Sequence, residues 1–352
     1  MAAKITHIEV LRQSLYLMEH GSDLQRETAS EFRATPFLNR AALGSIAPDI
    51  FYFYGGLSRK KNARGQHWGY LIHHTNVFPL IEALASRVRD LPHEDAKRKR
   101  LLAFVLGYVS HCAVDIITHP YIFYITGDFY SKDRDTAARA QMNHIRVEYA
   151  LDSYLVNHRW GMHPHEYNFI QYVENPADDL IDLEIRTLWL HALKEVYPYE
   201  FGSSLPEEAP GPDDPIQGSY RGFMRFNQIL DTRSIAVRAL LRSVDFITFQ
   251  RVPARALILP PREHIAERLP NDSNRLWKYP ADPSHESNES FIEIVHRSAR
   301  FSVEFMTDIL EYIEGKKKSS EIRKKYDGYN LDTGLRSETK EMVEFEPIEE
   351  GE

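Results

Sequence analysis

The 352-residue chain has a single cysteine, Cys112, which excludes an intrachain disulfide and every zinc cage built on cysteine thiolates. Any metal must then rest on imidazole and carboxylate groups. An excess of positive charge is also missing. The chain has 43 Lys+Arg against 51 Asp+Glu, a net charge of −8, which argues against a general nucleic-acid binder. Its one basic cluster, RVRDLPHEDAKRKR from Arg87 to Arg100, reads as a solvated connection between helices. The N-terminus MAAKITHIEVLRQSL carries Lys4, Glu9 and Arg12 where an export signal needs an unbroken apolar run, so a cytoplasmic protein is expected. The most apolar segment carries His111 and Asp115 and is expected to fall short of a bilayer span, which makes it a core helix. A Gly-rich phosphate loop, a Gly-x-Ser-x-Gly elbow and a cysteine nucleophile are absent as well, leaving hydride transfer and kinase chemistry without support.

Alternating strand-like runs are scarce, and the apolar spacing is helical throughout, so the expected fold class is all-α, a compact multi-helix domain. With 43% hydrophobic residues the chain can bury one large core or two smaller ones. Helices are expected near residues 7–20, from Thr35-Pro36 onward with Thr35 as N-cap, and at 67–91, 94–118, 134–157, 178–197, 214–247 and 287–314. Pro120 places His119 at a helix end or on a kink. Loops rich in Pro and Gly, FGSSLPEEAPGPDDP and ILPPREHIAERLPNDSN, separate the later helices. The division expected is a helical domain over 1–315 and a charged C-terminal tail over 316–352, flexible or draped on the surface. No internal repeat is present.

Two polar ladders interrupt apolar segments: His111-Asp115-His119 in LLAFVLGYVSHCAVDIITHPYI and His144-Glu148 in QMNHIRVEYALDSYL. Residues four apart on a helix lie one turn above each other, so each ladder points its groups in nearly one direction. Such groups are costly to bury without a hydrogen-bond, ionic or metal partner. Mixed His/Asp/Glu ligation suits zinc or a similar ion. Spacing alone decides little, because four His-xxx-acid pairs occur where composition predicts about two by chance. The other two, His191-Glu195 and His285-Glu289, lie in polar surroundings that suit a solvated face or loop. For the apolar pairs, a metal site and a satisfied internal His-Asp hydrogen bond are both open readings.

Thr6-His7, Ala47-Pro48-Asp49, an apolar residue before His73, His111 with Asp115, His119-Pro120-Tyr121-Ile122 and His144 with Glu148 follow one another in an order that resembles bacterial zinc-dependent phospholipase C. Trp277-Lys278-Tyr279-Pro280 followed by SFIEIVHRSARFSVEFM extends the resemblance to about residue 315. It implies a helical phosphodiesterase holding two or three zinc ions: one on His73, His111 and Asp115, one on His119, His144 and Glu148, and a third shared by Asp115 and His7. His74 and then His67 are the alternatives to His73, since adjacent residues diverge on a helix. Asp49, otherwise a turn residue, becomes the carboxylate that orients or deprotonates the attacking water. The expected function is hydrolysis of a phospholipid head-group phosphodiester, by a hydrolase compatible with peripheral membrane contact. A trinuclear-zinc nuclease or nucleotide phosphodiesterase, with nucleic acid as partner, is one alternative, and a non-catalytic helical binding protein with structural metals is another. Where secreted members present an N-terminal Trp amine to the third ion, this chain has Met1-Ala2-Ala3-Lys4, in which Ala2 can donate an amine only if Met1 is removed.

Overall fold

The computed structural model describes residues 4–55, 58–173, 180–204, 214–229, 234–247, 259–336 and 341–348. The expectation for Ala2 falls outside them. The order is α1 (Lys4–Met18), α2 (Asp23–Phe32), α3 (Thr35–Gly44), a 3-10 helix Pro48–Phe53, α4 (Arg59–His74), α5 (Val77–Arg89), α6 (Ala96–Thr126) and α7 (Arg134–Trp160). Then come α8 (Leu183–Val196), α9 (Pro198–Ser204), α10 (Pro215–Ile229), α11 (Ile235–Ile247), the hairpin strands β1 (Trp277–Tyr279) and β2 (Asp282–Ser287), α12 (Phe291–Ile313) and α13 (Ser319–Tyr326). The fold is all-α apart from this hairpin, whose register pairs Trp277 with Ser287 and Tyr279 with Asp282.

Helix α6 is the axis around which the others pack, meeting α1, α3, α5, α7, α8 and α12. The Asp95 side chain caps its N-terminus by accepting from the Lys97 amide at 2.8 Å. It runs 31 residues, so it is not shorter than a bilayer span, contrary to the expectation from sequence. Its apolar window is entirely buried inside the protein, which accounts for its composition. Pro120 neither ends nor terminates it: the helix continues to Thr126. A prolyl ring removes the amide that would have reached the Ile116 carbonyl. Gly334 closes over that carbonyl, where a Cβ would stand 2.3 Å from it.

Helices α3 and α6 cross backbone to backbone at Gly44 and Gly107. A Cβ on Gly107 would lie 1.9 Å from the Ala41 carbonyl, so only glycine permits this approach. The crossing brings the Ser45 carbonyl to His111 and sets the 3-10 helix, with Asp49, over the middle of α6.

Local chemistry moves several boundaries. The expected 67–91 helix is split into α4 and α5 by Asn76, which takes the left-handed conformation at φ 52°. Ala34 is the N-cap of α3 and offers no side-chain bond, while Thr35-Pro36 form the first turn. The expected 214–247 helix corresponds to α10 and α11, with residues 230–233 outside the described set. The stretch from Lys316 departs most from expectation. Ile322, Tyr326 and Leu331 join the main core, Tyr326 stacks on Phe305 at 3.8 Å, and Lys317, Lys325 and the Tyr326 hydroxyl all donate to Asp308. The charges that suggested a tail are on the outer face of α13, and Ile322 and Tyr326, one turn apart, dock it.

Candidate metal centre

Asp115 is the hub of a buried cluster. Its Oδ1 lies 3.3 Å from His7 Nε2 and 3.5 Å from His119 Nε2, and its Oδ2 lies 3.0 Å from His111 Nε2 and 3.7 Å from His73 Nε2. Yet among the described residues neither oxygen has a hydrogen-bond partner. Four ring nitrogens crowd one carboxylate at short range without aligning on it, as donors do when they converge on a shared cation. A satisfied His111-Asp115 hydrogen bond, the bland reading of this spacing, is therefore not what the structure shows.

The ligand-type side chains arrive from five elements: α1, the 3-10 helix, α4, α6 and α7. His7 comes from α1, whose N-terminus is pinned by Asp152 of α7: its carboxylate accepts from the amides of Ile5 and Thr6 at 3.0 and 2.8 Å and from the Thr6 hydroxyl at 2.7 Å. The His7 ring stacks on His111 at 4.4 Å. His73, from the last turn of α4, sits with Nε2 3.3 Å from Asp49 Oδ1 and 3.3 Å from His111 Nε2. His144 and Glu148, one turn apart on α7, place Nε2 and Oε1 3.3 Å apart, and His119 Nε2 is 4.0 Å from the same oxygen. Three groups emerge with their ligand atoms within 4.8 Å of one another: His7-His111-Asp115, Asp49-His73-His111 and His119-His144-Glu148. All members are buried. The eight residues singled out in the sequence, Asp49 included, are thus brought together, although Asp49 falls inside a ligand group instead of standing beside one. His74 lies outside these groups, lining the adjoining cavity and bonding Asp332, and His67 is exposed.

The opposite ring nitrogens explain the orientation. Nδ1 of His73 bonds the Gly69 carbonyl at 2.6 Å, Nδ1 of His111 bonds Ser45 at 3.0 Å and Nδ1 of His119 bonds Leu331 at 3.0 Å. A carbonyl can only accept, so each Nδ1 carries a proton and Nε2 is the nitrogen turned inward, the orientation that metal-ligating histidines take. Among the described residues His7 Nδ1, His144 Nδ1, Asp49 Oδ2 and Glu148 Oε2 are buried without hydrogen-bond partners. Orphaned atoms of this kind are costly unless something binds them, and a mixed imidazole-carboxylate set fits zinc.

Electrostatics follow from the crowding. Burial works against ionising Asp115 and Asp49, but the surrounding imidazoles, His111 foremost, outweigh it and hold both carboxyls below the usual range. Burial and the neighbouring His111 lower His7. Burial would also lower His119, yet Asp115, Asp332 and Glu148 prevail and raise it to about 10.

One side of the cluster opens on a cavity of about 1110 Å³. Asp49, His73, His119, His144 and Glu148 line it, with Tyr52, Phe53, Tyr54, Phe123, Phe129 and Tyr130 as aromatic wall. Tyr124 is elsewhere, donating to Glu346 at 2.8 Å. One functional residue escaped sequence reasoning. Asp332, after α13, is buried in the cavity wall, accepts from His74 at 2.8 Å and from the Tyr130 hydroxyl, and stands 3.4 Å from His119 Nδ1. Its only local signal is the turn-forming Asn330-Leu331-Asp332-Thr333-Gly334, in which the Asn330 side chain accepts from the amides of Asp332 and Thr333.

A family model described as zinc-dependent phospholipase C matches residues 6–197, a stretch that contains all eight residues but neither α10 nor Asp332. Neither curated proteins nor solved structures supplied a match.

Proposed function

This chain belongs to the zinc-dependent phospholipase C family, and from that premise we propose that its cavity hydrolyses phosphodiesters of the phospholipid type. The observation that carries the reading is the convergence of three imidazole-carboxylate groups, with orphaned donor and acceptor atoms, beside a cavity large enough for a lipid head group that Asp49, His73, His119, His144 and Glu148 line. His73, His111, His119, His144, His7, Asp115, Glu148 and Asp49 would hold two or three zinc ions. Zinc bound there would supply positive charge to phosphoryl oxygens and lower the pKa of water.

The protein's own groups do the rest. Nδ1–H bonds to backbone carbonyls keep the three histidines in the tautomer that faces Nε2 inward. Asp49 is held ionised by His111 and His73, and its Oδ2 has no partner, so it is free to orient an attacking water and accept its proton. The aromatic wall excludes bulk solvent and strengthens every electrostatic interaction inside. At the rim, Tyr70 and Tyr130 are half exposed with ring centroids 6.5 Å apart, a lip suited to peripheral contact with a lipid surface.

Zinc analysis of the purified protein, followed by a panel of dihexanoylphosphatidylcholine, bis(p-nitrophenyl) phosphate and single-stranded DNA, tests the reading. Turnover of the diesters, abolished by chelator and restored by zinc, supports it. Zinc bound without any turnover defeats it in favour of a structural metal, and turnover of DNA alone defeats it in favour of a nuclease. Asp49→Asn is expected to lower turnover by about 10²–10⁴-fold. Retained zinc then marks Asp49 as proton acceptor, and lost zinc marks it as ligand.

A further inference from the structure

Helix α10 closes the cavity on a side that the family match does not reach. It carries Gly218, Arg221, Gly222 and Arg225, positions that fall on one helical face. The two glycines press that face against the segment that bears Asp49. A Cβ on Gly222 would lie 2.0 Å from the Phe53 carbonyl, and one on Gly218 would lie 2.5 Å from the Tyr54 ring. Both arginines consequently line the cavity that holds Asp49, His73 and Glu148, and Lys61 of α4 lines it too. Among the described residues neither Arg221 nor Arg225 has an ion pair or hydrogen bond. Arg40, Arg98, Arg100 and Arg186, by contrast, are each paired to a carboxylate.

Two permanently charged guanidinium groups one turn apart, unpaired and facing a cavity, suit a second anion and repel a cationic head group. The phosphodiester itself is provided for by the imidazole-carboxylate floor. Resting on the phosphodiesterase reading above, we propose that Arg221 and Arg225 form a head-group subsite that selects a phospholipid whose head group carries an additional phosphate. Because Arg225 is exposed, its contribution weakens with rising salt, while the half-buried Arg221 is less screened.

The test compares kcat/KM of the zinc-loaded protein for dihexanoylphosphatidylinositol 4-phosphate and dihexanoylphosphatidylcholine. The expected result is a preference for the phosphorylated head group that falls at least tenfold in R221Q/R225Q, through KM, and is largely kept in R221K/R225K. Equal use of both lipids overturns the subsite while leaving the phosphodiesterase reading intact, and so does a preference that the Gln pair does not change. Faster turnover of single-stranded DNA, dependent on the same arginines, overturns the lipid assignment. If no diester is turned over, the enzyme reading fails by itself, and calorimetric binding of myo-inositol 1,4-bisphosphate judges the subsite separately. Binding lost in R221Q/R225Q upholds it, and no binding to the unsubstituted protein overturns it. Circular dichroism and thermal unfolding of the variants verify that they fold.

Discussion

Helices α6 and α8 carry the same His-x-x-x-acid spacing and use it in opposite ways. On α8 His191 and Glu195 are exposed, and Glu195 pairs with Arg87 at 2.8 Å across the surface. On α6 His111 and Asp115 are buried and surrounded by His7, His73 and His119 within 4 Å of Asp115. The ladder is identical and the neighbourhood is not. Helix α8 buries Trp189 and Leu193 on one side and turns its polar pair to water. Helix α6 is enclosed, and α1, α4, α7 and the 3-10 helix bring polar side chains to its buried ladder. A spacing is therefore only an offer of two groups, and a site requires several elements to aim at it.

Breaking each ladder should expose that contrast. Asp115→Ala is expected to remove zinc and lower diester turnover by about 10³-fold or more, since metal polarisation is worth several kcal/mol at 1.36 kcal/mol per decade. Zinc content and initial rates measure it. Asp332→Ala, which frees His119 Nδ1 from one of its two acceptors, should cost about 10–100-fold in zinc affinity or activity, read by competitive chelator titration.

A proton balance sharpens the comparison further. Zinc needs neutral imidazole, and His119 in the metal-free protein is raised to about 10, so zinc binding at pH 7 should release at least one proton and tighten as pH rises. Calorimetry in buffers of different ionisation enthalpy counts it. The same raised pKa stabilises the metal-free fold fully below about pH 6.5, and that contribution should fade as pH climbs towards 10, visible as a falling melting temperature. His191 on α8, lowered by burial and by Arg87 and Lys194, should take no part. The smallest effect belongs to Glu195→Gln, expected within about 0.5 kcal/mol of the parent in thermal unfolding and without effect on zinc content.

Much of the site was legible because its ladders interrupt apolar text. His111 and Asp115 stand out in a mostly apolar helix, and His144 and Glu148 one turn apart in a segment that continues into apolar residues, where burying such groups unpartnered would be penalised. His7, His73 and Asp49 were legible only through the order of motifs resembling the family, since no local pattern distinguishes them from surface or turn residues. The choice of His73 over His74 needed the helix phase that places one imidazole against Asp49 and the other against Asp332. Asp332 was hidden by its charged surroundings. Its burial depends on α13 docking through Ile322 and Tyr326, a contact between segments far apart in the chain. The arginines of α10 were illegible for the same reason: nothing in Gly-Ser-Tyr-Arg-Gly says which backbone the glycines will touch.

The amino-acid sequence by itself determined the helical class, the exclusion of thiolate ligation, and the imidazole and carboxylate rungs of α6 and α7, because periodicity and the cost of burying polar groups act within a single element. Tertiary structure alone decided which rungs meet, that Asp49 enters a ligand group, and that Asp332 and two unpaired arginines complete the cavity walls. Those outcomes depend on distances of a few ångström between segments tens to hundreds of residues apart, set by glycine crossings and docked helices that no local pattern encodes.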